Sequence, residues 1–167
     1  PHVLTSDDLI TPPLPPVAPI IGTVWGVGSN GNGELGDNTI VNRSSPVQTI
    51  AGGSNWVEIN CGYYNIAGLK DDGTLWTWGR NNNGQLGLGN TTYYSSPKQI
   101  GALTTWSTID GGGNHTLAIK TDGTLWAWGR GDFGQLGLGN TTQYSSPKQV
   151  GALTTWSKIE GGRIHTL

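Results

Sequence analysis

GTLWTWGRNNNGQLGLGN (Gly73–Asn90) returns fifty residues later as GTLWAWGRGDFGQLGLGN (Gly123–Asn140). Two tryptophans on alternate positions follow an Asp-Gly step and precede a run of glycines, and the whole assembly recurs. A period of this length outweighs any motif inside it, because it marks one supersecondary unit copied along the chain. Asp72-Gly73 and Asp122-Gly123 predict a tight hairpin, of type I′ in the usual case, leading into each Trp strand. Trp76 and Trp78 are expected on one face of that strand and Leu75 on the other, so the strand needs cover on both sides.

The repetition extends outward. From Gly84 to Leu117 against Gly134 to Leu167, six of thirty-four aligned positions differ: Tyr93/Gln143, Ile100/Val150, Thr108/Lys158, Asp110/Glu160, Gly113/Arg163 and Asn114/Ile164. An older copy precedes these, in which GTVWGVGSNGNGELGDN (Gly22–Asn38) aligns with Gly73–Asn90, Trp25 matches Trp76, and Val27 stands for Trp78. Each unit reads as four short strands: SSPKQI, TTWSTIDGG, HTLAIK and TDGTLWAWGR, with the SSPKQI segment opening the unit. Small four-stranded antiparallel sheets stacked face to face around an axis supply two-sided cover. The fold class is therefore all-β, with β-propeller blades and about three units present.

Composition agrees. The 167 residues include 28 glycines and eight tryptophans against one phenylalanine and no methionine, which suits strands and tight turns. A net charge of −2 with 12% charged residues gives no basic footprint for nucleic acid. Cys61 is the single cysteine, so no intramolecular disulfide and no multi-cysteine metal site forms. No apolar run approaches the length of a signal core or a membrane span.

With GTLWAWGRGDFGQLGLGN, SSPKQV and GGGNHTLAIKTDG in hand, the chain resembles the regulator of chromosome condensation repeat family from about Gly22 to Leu167. The resemblance implies seven-bladed propellers, so these units are expected to form part of a larger ring, in a longer chain or from several copies. Units fall at about 22–50, 51–100, 101–150 and a partial 151–167. The His-Thr signature stands at His115-Thr116 and His165-Thr166, with Asn65-Ile66 in the earlier unit. The family's founder is a guanine-nucleotide exchange factor that binds chromatin, other members inhibit β-lactamases through a propeller face, and many microbial and viral members are surface or assembly proteins.

The segment 1–21 is different: six prolines lie between Pro1 and Pro19, without a repeat signature. It reads as an extended arm. GQLGLGNTT is not followed by helical periodicity or a Lys-Ser/Thr, so it reads as a structural joint and not as a phosphate loop. His115 and His165 recur on successive blades, whereas an active site needs different groups converging on one point, so they read as scaffold. Cys61 aligns with Gly111 and Gly161 and reads as a buried, inert thiol. Neither catalytic nor metal-ligating residues are assigned, and no cofactor is implied.

Recognition falls to positions that vary between copies and to the arm: Pro12, Pro13, Pro15, Pro16, Asn82, Asn83, Tyr93, Asp132, Phe133, Gln143 and Arg163. The resulting expectation is a non-enzymatic structural or protein-interaction propeller, concretely a virion or surface assembly component anchored by its arm. Protein partners are expected, other virion subunits or further copies of the chain among them, with no nucleic acid and no membrane. An enzyme inhibitor and an exchange or chromatin-associated regulator are the alternatives.

Overall fold

The computed structural model describes residues 22–50 and 53–167. Its ten strands are β1 (Trp25–Gly28), β2 (Arg43–Gln48), β3 (Trp56–Cys61), β4 (Asn65–Lys70), β5 (Leu75–Gly79), β6 (Tyr94–Gln99), β7 (Trp106–Gly111), β8 (His115–Lys120), β9 (Leu125–Gly129) and β10 (Tyr144–Gln149). β3-β4-β5-β6 and β7-β8-β9-β10 are two four-stranded antiparallel sheets, the first and second blades, and β1-β2 is a half-blade. Beyond β10 the tail forms a single bridge, Gly161 to Thr166.

The pairing corrects the order expected within a unit. SSPKQ is the outer edge of the blade that contains the preceding Trp strand, with Trp76 opposite Gln99 and Thr77 opposite Lys98, rather than the opening strand of the next unit. Ile100 N–H donating to Leu75 C=O continues that ladder. The half-blade therefore carries third- and fourth-strand motifs, and His165-Thr166 corresponds to the second strand.

The Asp-Gly hairpins are also of a different type. Gly73 N–H donates to Lys70 C=O and Lys70 N–H to Thr74 C=O, and only the glycine has positive φ, +75°. That is a type I turn closed by a left-handed glycine bulge, not type I′. The aspartate keeps negative φ because its side chain is engaged locally. Asp72 Oδ1 accepts from both Thr74 N–H and Oγ1–H, at 2.9 and 2.6 Å. Those bonds hold its carboxyl below the usual aspartate value.

Alternation builds the core. Trp128 packs with Trp106, Ile109 and Ala118 of its own blade against Ala67, Leu69, Leu75 and Ile100 of the first blade. The opposite face of the second blade buries Leu117, Ile119, Leu125, Ala127 and Leu136 against Ile159 of the tail. The Trp and Leu faces thus look to opposite neighbours, as the period-2 pattern requires. Trp106 stands edge-on to Trp126 and tilted to Trp128, with centroids 6.2 and 6.1 Å apart, within the range where aromatic pairs attract.

Candidate functional site

Because successive strands run in opposite directions, the connections β3–β4, β5–β6, β7–β8 and β9–β10 emerge at one end of the blades. The β4–β5 and β8–β9 hairpins lie at the other. The long loop after each Trp strand is built by side chains. Asn81, fully buried, accepts from Leu86 N–H through Oδ1 and donates through Nδ2 to the carbonyls of Asn90 and Thr92. Asn81 is thus dictated by the scaffold, although it opens a run that varies between copies; Gly131 is its counterpart in the second blade.

In GQLGLGNTT (Gly84–Thr92) five of the nine backbone amides are already committed within the fold. Gly84 N–H donates to Asn81 C=O, Gly87 N–H to Gly84 C=O and Gly89 N–H to Ser145 C=O. Asn83 and Thr92 N–H are taken by Gln85 Oε1 and Asn90 Oδ1. The glycine at 87 is required by contact as well as by φ: a Cβ there would lie 2.6 Å from Trp128 Nε1.

This joint also carries the bond between blades. Trp128 Nε1–H and Thr116 Oγ1–H both donate to Gln85 C=O, at 3.0 and 2.9 Å. Thr166 Oγ1–H donates to Gln135 C=O at 2.7 Å, and Trp78 Nε1–H to Glu34 C=O at 2.7 Å. Sequence reasoning missed this staple because it joins residues about thirty to forty-four apart through backbone carbonyls.

His115 belongs to the same system. It is fully buried with Nε2 3.2 Å from Thr166 Oγ1. The Thr166 proton is already given to Gln135 C=O, so Nε2 carries the proton that Thr166 accepts. Burial, opposed by the charge of Asp110 and helped by His165, pushes the imidazole down to about 4. Asp110 does not touch the ring: its Oδ1 accepts from Asn60 Nδ2 and its Oδ2 from Gly161 N–H. A neutral histidine without an acid partner is a structural donor here, not a general base. Among the described residues no three His, Cys, Asp or Glu side chains gather as a metal site. Cys61 is exposed, not buried as expected, because the half-blade covers that face incompletely; surrounding protein still pushes its thiol pKa up.

The variable positions converge in part. Asn83 Nδ2 donates to Gln143 Oε1 across the blades at 2.9 Å, and Gln143 Nε2 to Asp132 Oδ1 at 3.0 Å. Asp132 pairs with Arg130 at 2.9 Å, and the Arg130 guanidinium lies 5.0 Å from the Phe133 ring centroid. Arg163 lies 5.8 Å from the Tyr63 ring, and both line one cleft with Phe133. Asn82 and Tyr93 are exposed at the same end, and among the described residues no side-chain hydrogen bond joins them to this group. Pro12, Pro13, Pro15 and Pro16 lie outside the described residues. Tyr63 and Arg130 were missed; for Tyr63 the signal was present, since Tyr63-Tyr64 occupies the positions of Gly113-Asn114 and Arg163-Ile164, whereas Arg130 repeats Arg80 and carries no such variation.

Comparison with known proteins matches the regulator of chromosome condensation (RCC1) repeat at residues 22–69, 72–119 and 122–167. A second profile of the same repeat matches 56–85 and 106–135. The ultraviolet-B receptor UVR8 of Arabidopsis thaliana is 39% identical over 84 residues, covering 50% of this chain and 19% of the receptor. The probable E3 ubiquitin-protein ligase HERC6 of Homo sapiens is 30% identical over 80 residues, 47% of this chain and 8% of the ligase. Human WBSCR16 superposes with a TM-score of 0.69 at 24% identity, over 84% of this chain and 38% of that one. Prp20p of Saccharomyces cerevisiae, described with its binding to Gsp1p and histones, gives 0.68 at 19% identity over 84% and 37%. The chain therefore spans well under half the length of these relatives, and the solved structures share its fold.

Proposed function

The chain belongs to the regulator of chromosome condensation repeat family, and from that premise we propose that it is a non-enzymatic protein-interaction propeller engaging its partner through the long-loop end. One observation carries this reading. Most positions that stack the blades repeat, with Asn65/His115 and Ile100/Val150 as exceptions, and the pairs Tyr93/Gln143, Gly113/Arg163 and Asn114/Ile164, with the loop positions 82–83 and 132–133, differ at that end. A rigid scaffold with variable loops is the usual arrangement for recognition. The binding of Gsp1p and histones described for Prp20p supports a protein as the partner class.

In its finer form the reading is a virion or surface assembly component held by Pro1–Ile21; the near-identical tandem units and the six prolines of that segment support it. Deleting Pro1–Ile20 tests the anchor, with loss of particle association expected and unchanged association contradicting it. The loop-end surface is tested by a photo-crosslinking amino acid placed at Asn82 or, at the opposite end, at Thr121. Protein adducts from position 82 alone are expected, and adducts from position 121 alone contradict the reading.

A further inference from the structure

We propose that the cleft lined by Tyr63, Asn114, Arg130, Phe133, Arg163 and Ile164 takes a carboxylate side chain flanked by an apolar one, on an acidic loop of a partner protein. The inference rests on the loop-end reading and gives it a specific pocket. The cleft, about 340 Å³, lies where the loops of three successive units meet, with Tyr63 N–H donating to Gly113 C=O beneath it. A volume of that order is enough for one or two side chains.

Its walls are apolar and exposed: Tyr63, Phe133 and Ile164 retain 52%, 59% and 44% of their accessible surface. Its charged groups are cationic. Arg163 has no carboxylate within 4.0 Å among the described residues and rests over Tyr63. Arg130 spends Nε on Asp132 and rests over Phe133, which leaves its terminal nitrogens without a hydrogen-bond partner among the described residues. A guanidinium stacked on a ring is held in orientation while its donor fork faces solvent, which suits bidentate capture of a carboxylate. The rings beside each fork supply the apolar contact, and this juxtaposition favours Asp or Glu next to an aromatic or aliphatic residue.

The neighbouring unit provides variants that the fold already accommodates: Gly113 and Asn114 occupy the positions of Arg163 and Ile164. The test is an NMR titration of the ¹⁵N-labelled full chain, observing arginine Nε–H signals. The probes are acetyl-Gly-Asp-Phe-Glu-Phe-Gly-amide and its counterpart with Lys in place of Asp and Glu. Saturable shifts of Arg163 and Arg130 with the acidic peptide alone are expected, weakened at least about tenfold in Arg163→Gly and less in Ile164→Asn. Absence of a saturable shift up to about 5 mM peptide overturns the proposal, as does an equal response to the lysine peptide. Shifts that follow dilution of the protein alone overturn it too, because they assign the cleft to a second copy of the chain. If Arg163→Gly leaves crosslinking from position 82 unchanged, the cleft fails and the loop-end reading stands; loss of all position-82 adducts in the unmodified chain removes the reading itself.

Discussion

The seam between the first and second blades and the seam between the second blade and the tail come from nearly the same sequence, yet they are stitched differently. At the later seam, His115 donates to Thr166, which donates to Gln135 C=O. At the earlier one Asn65 holds the histidine's place, buried with its Oδ1 unpartnered among the described residues, and Thr116 joins Trp128 on Gln85 C=O without a side-chain donor behind it. The earlier seam compensates nearer the axis, where Glu58 Oε2 accepts from Ile109 N–H at 3.1 Å and Asn60 donates to Asp110. What both seams keep is a threonine on the loop carbonyl and apolar faces in contact. The His-Thr signature is therefore one of several polar stitches on a joint whose main strength is packing.

The largest effect should come from attacking the apolar packing at the earlier seam, where Trp128 faces the first blade. Trp128→Ala removes a fully buried indole and its bond to Gln85 C=O, and should cost about 3–5 kcal/mol in urea denaturation. Trp128→Phe keeps most of the packing and should cost clearly less. Equal losses would mean that the hydrogen bond, not the burial, holds the blades.

The next effect separates the seams by pH. His115 has a folded value of about 4 against an ordinary 6.5, so the unfolded chain binds more protons between those values. Its contribution is complete above pH 6.5 and is lost as pH falls toward 4, by about 3 kcal/mol in total. His115→Asn, which copies the earlier seam, should flatten stability over that window. Denaturant midpoints at pH 7 and 4.5 read the difference.

Much of this was legible in the sequence, and particular residues show why. The fifty-residue period, the alternating Trp76 and Trp78 and the His-Thr pair identify blades, because strand periodicity and repetition are local and cumulative. Strand order within the unit was not legible: SSPKQ follows a long loop, and only the ladder from Trp76 to Gln99 shows to which sheet it belongs. The hairpin type escaped because Asp72 is occupied by Thr74. In the half-blade, Asn38 at φ +63° donates to Ser95 C=O as Gly89 donates to Ser145 C=O, so GELGDN preserves more of the joint than its letters suggest. At the loop end, copy-to-copy variation marks Phe133 and Arg163 and extends to Tyr63, whereas Arg130 repeats Arg80 and is distinguished only by its contacts with Asp132 and Phe133.

A smaller effect makes the earlier seam resemble the later one. Asn65→His should place Nε2–H within reach of Thr116 Oγ1, while exchanging the orphaned Oδ1 for an equally unpartnered Nδ1 as at His115, so the added bond should raise stability by about 0.5–1 kcal/mol. A loss would show that Glu58 and Asn60 have fixed this seam in a spacing closed to imidazole. The smallest change is expected at the rim. Asn83→Ala breaks an exposed bond to Gln143 and should shift stability by less than about 0.5 kcal/mol.

The central claim is that repeated positions stack the blades while varied positions at the loop end recognise a partner. The triple variant Phe133→Asn, Arg163→Gly, Ile164→Asn gives these three positions the residues found at Asn83, Gly113 and Asn114 of the neighbouring copies. Partner adducts formed by the photo-crosslinker at position 82 should fall at least about tenfold in this variant, with the unfolding midpoint unchanged within a few degrees. Undiminished adducts at an unchanged midpoint would contradict the claim.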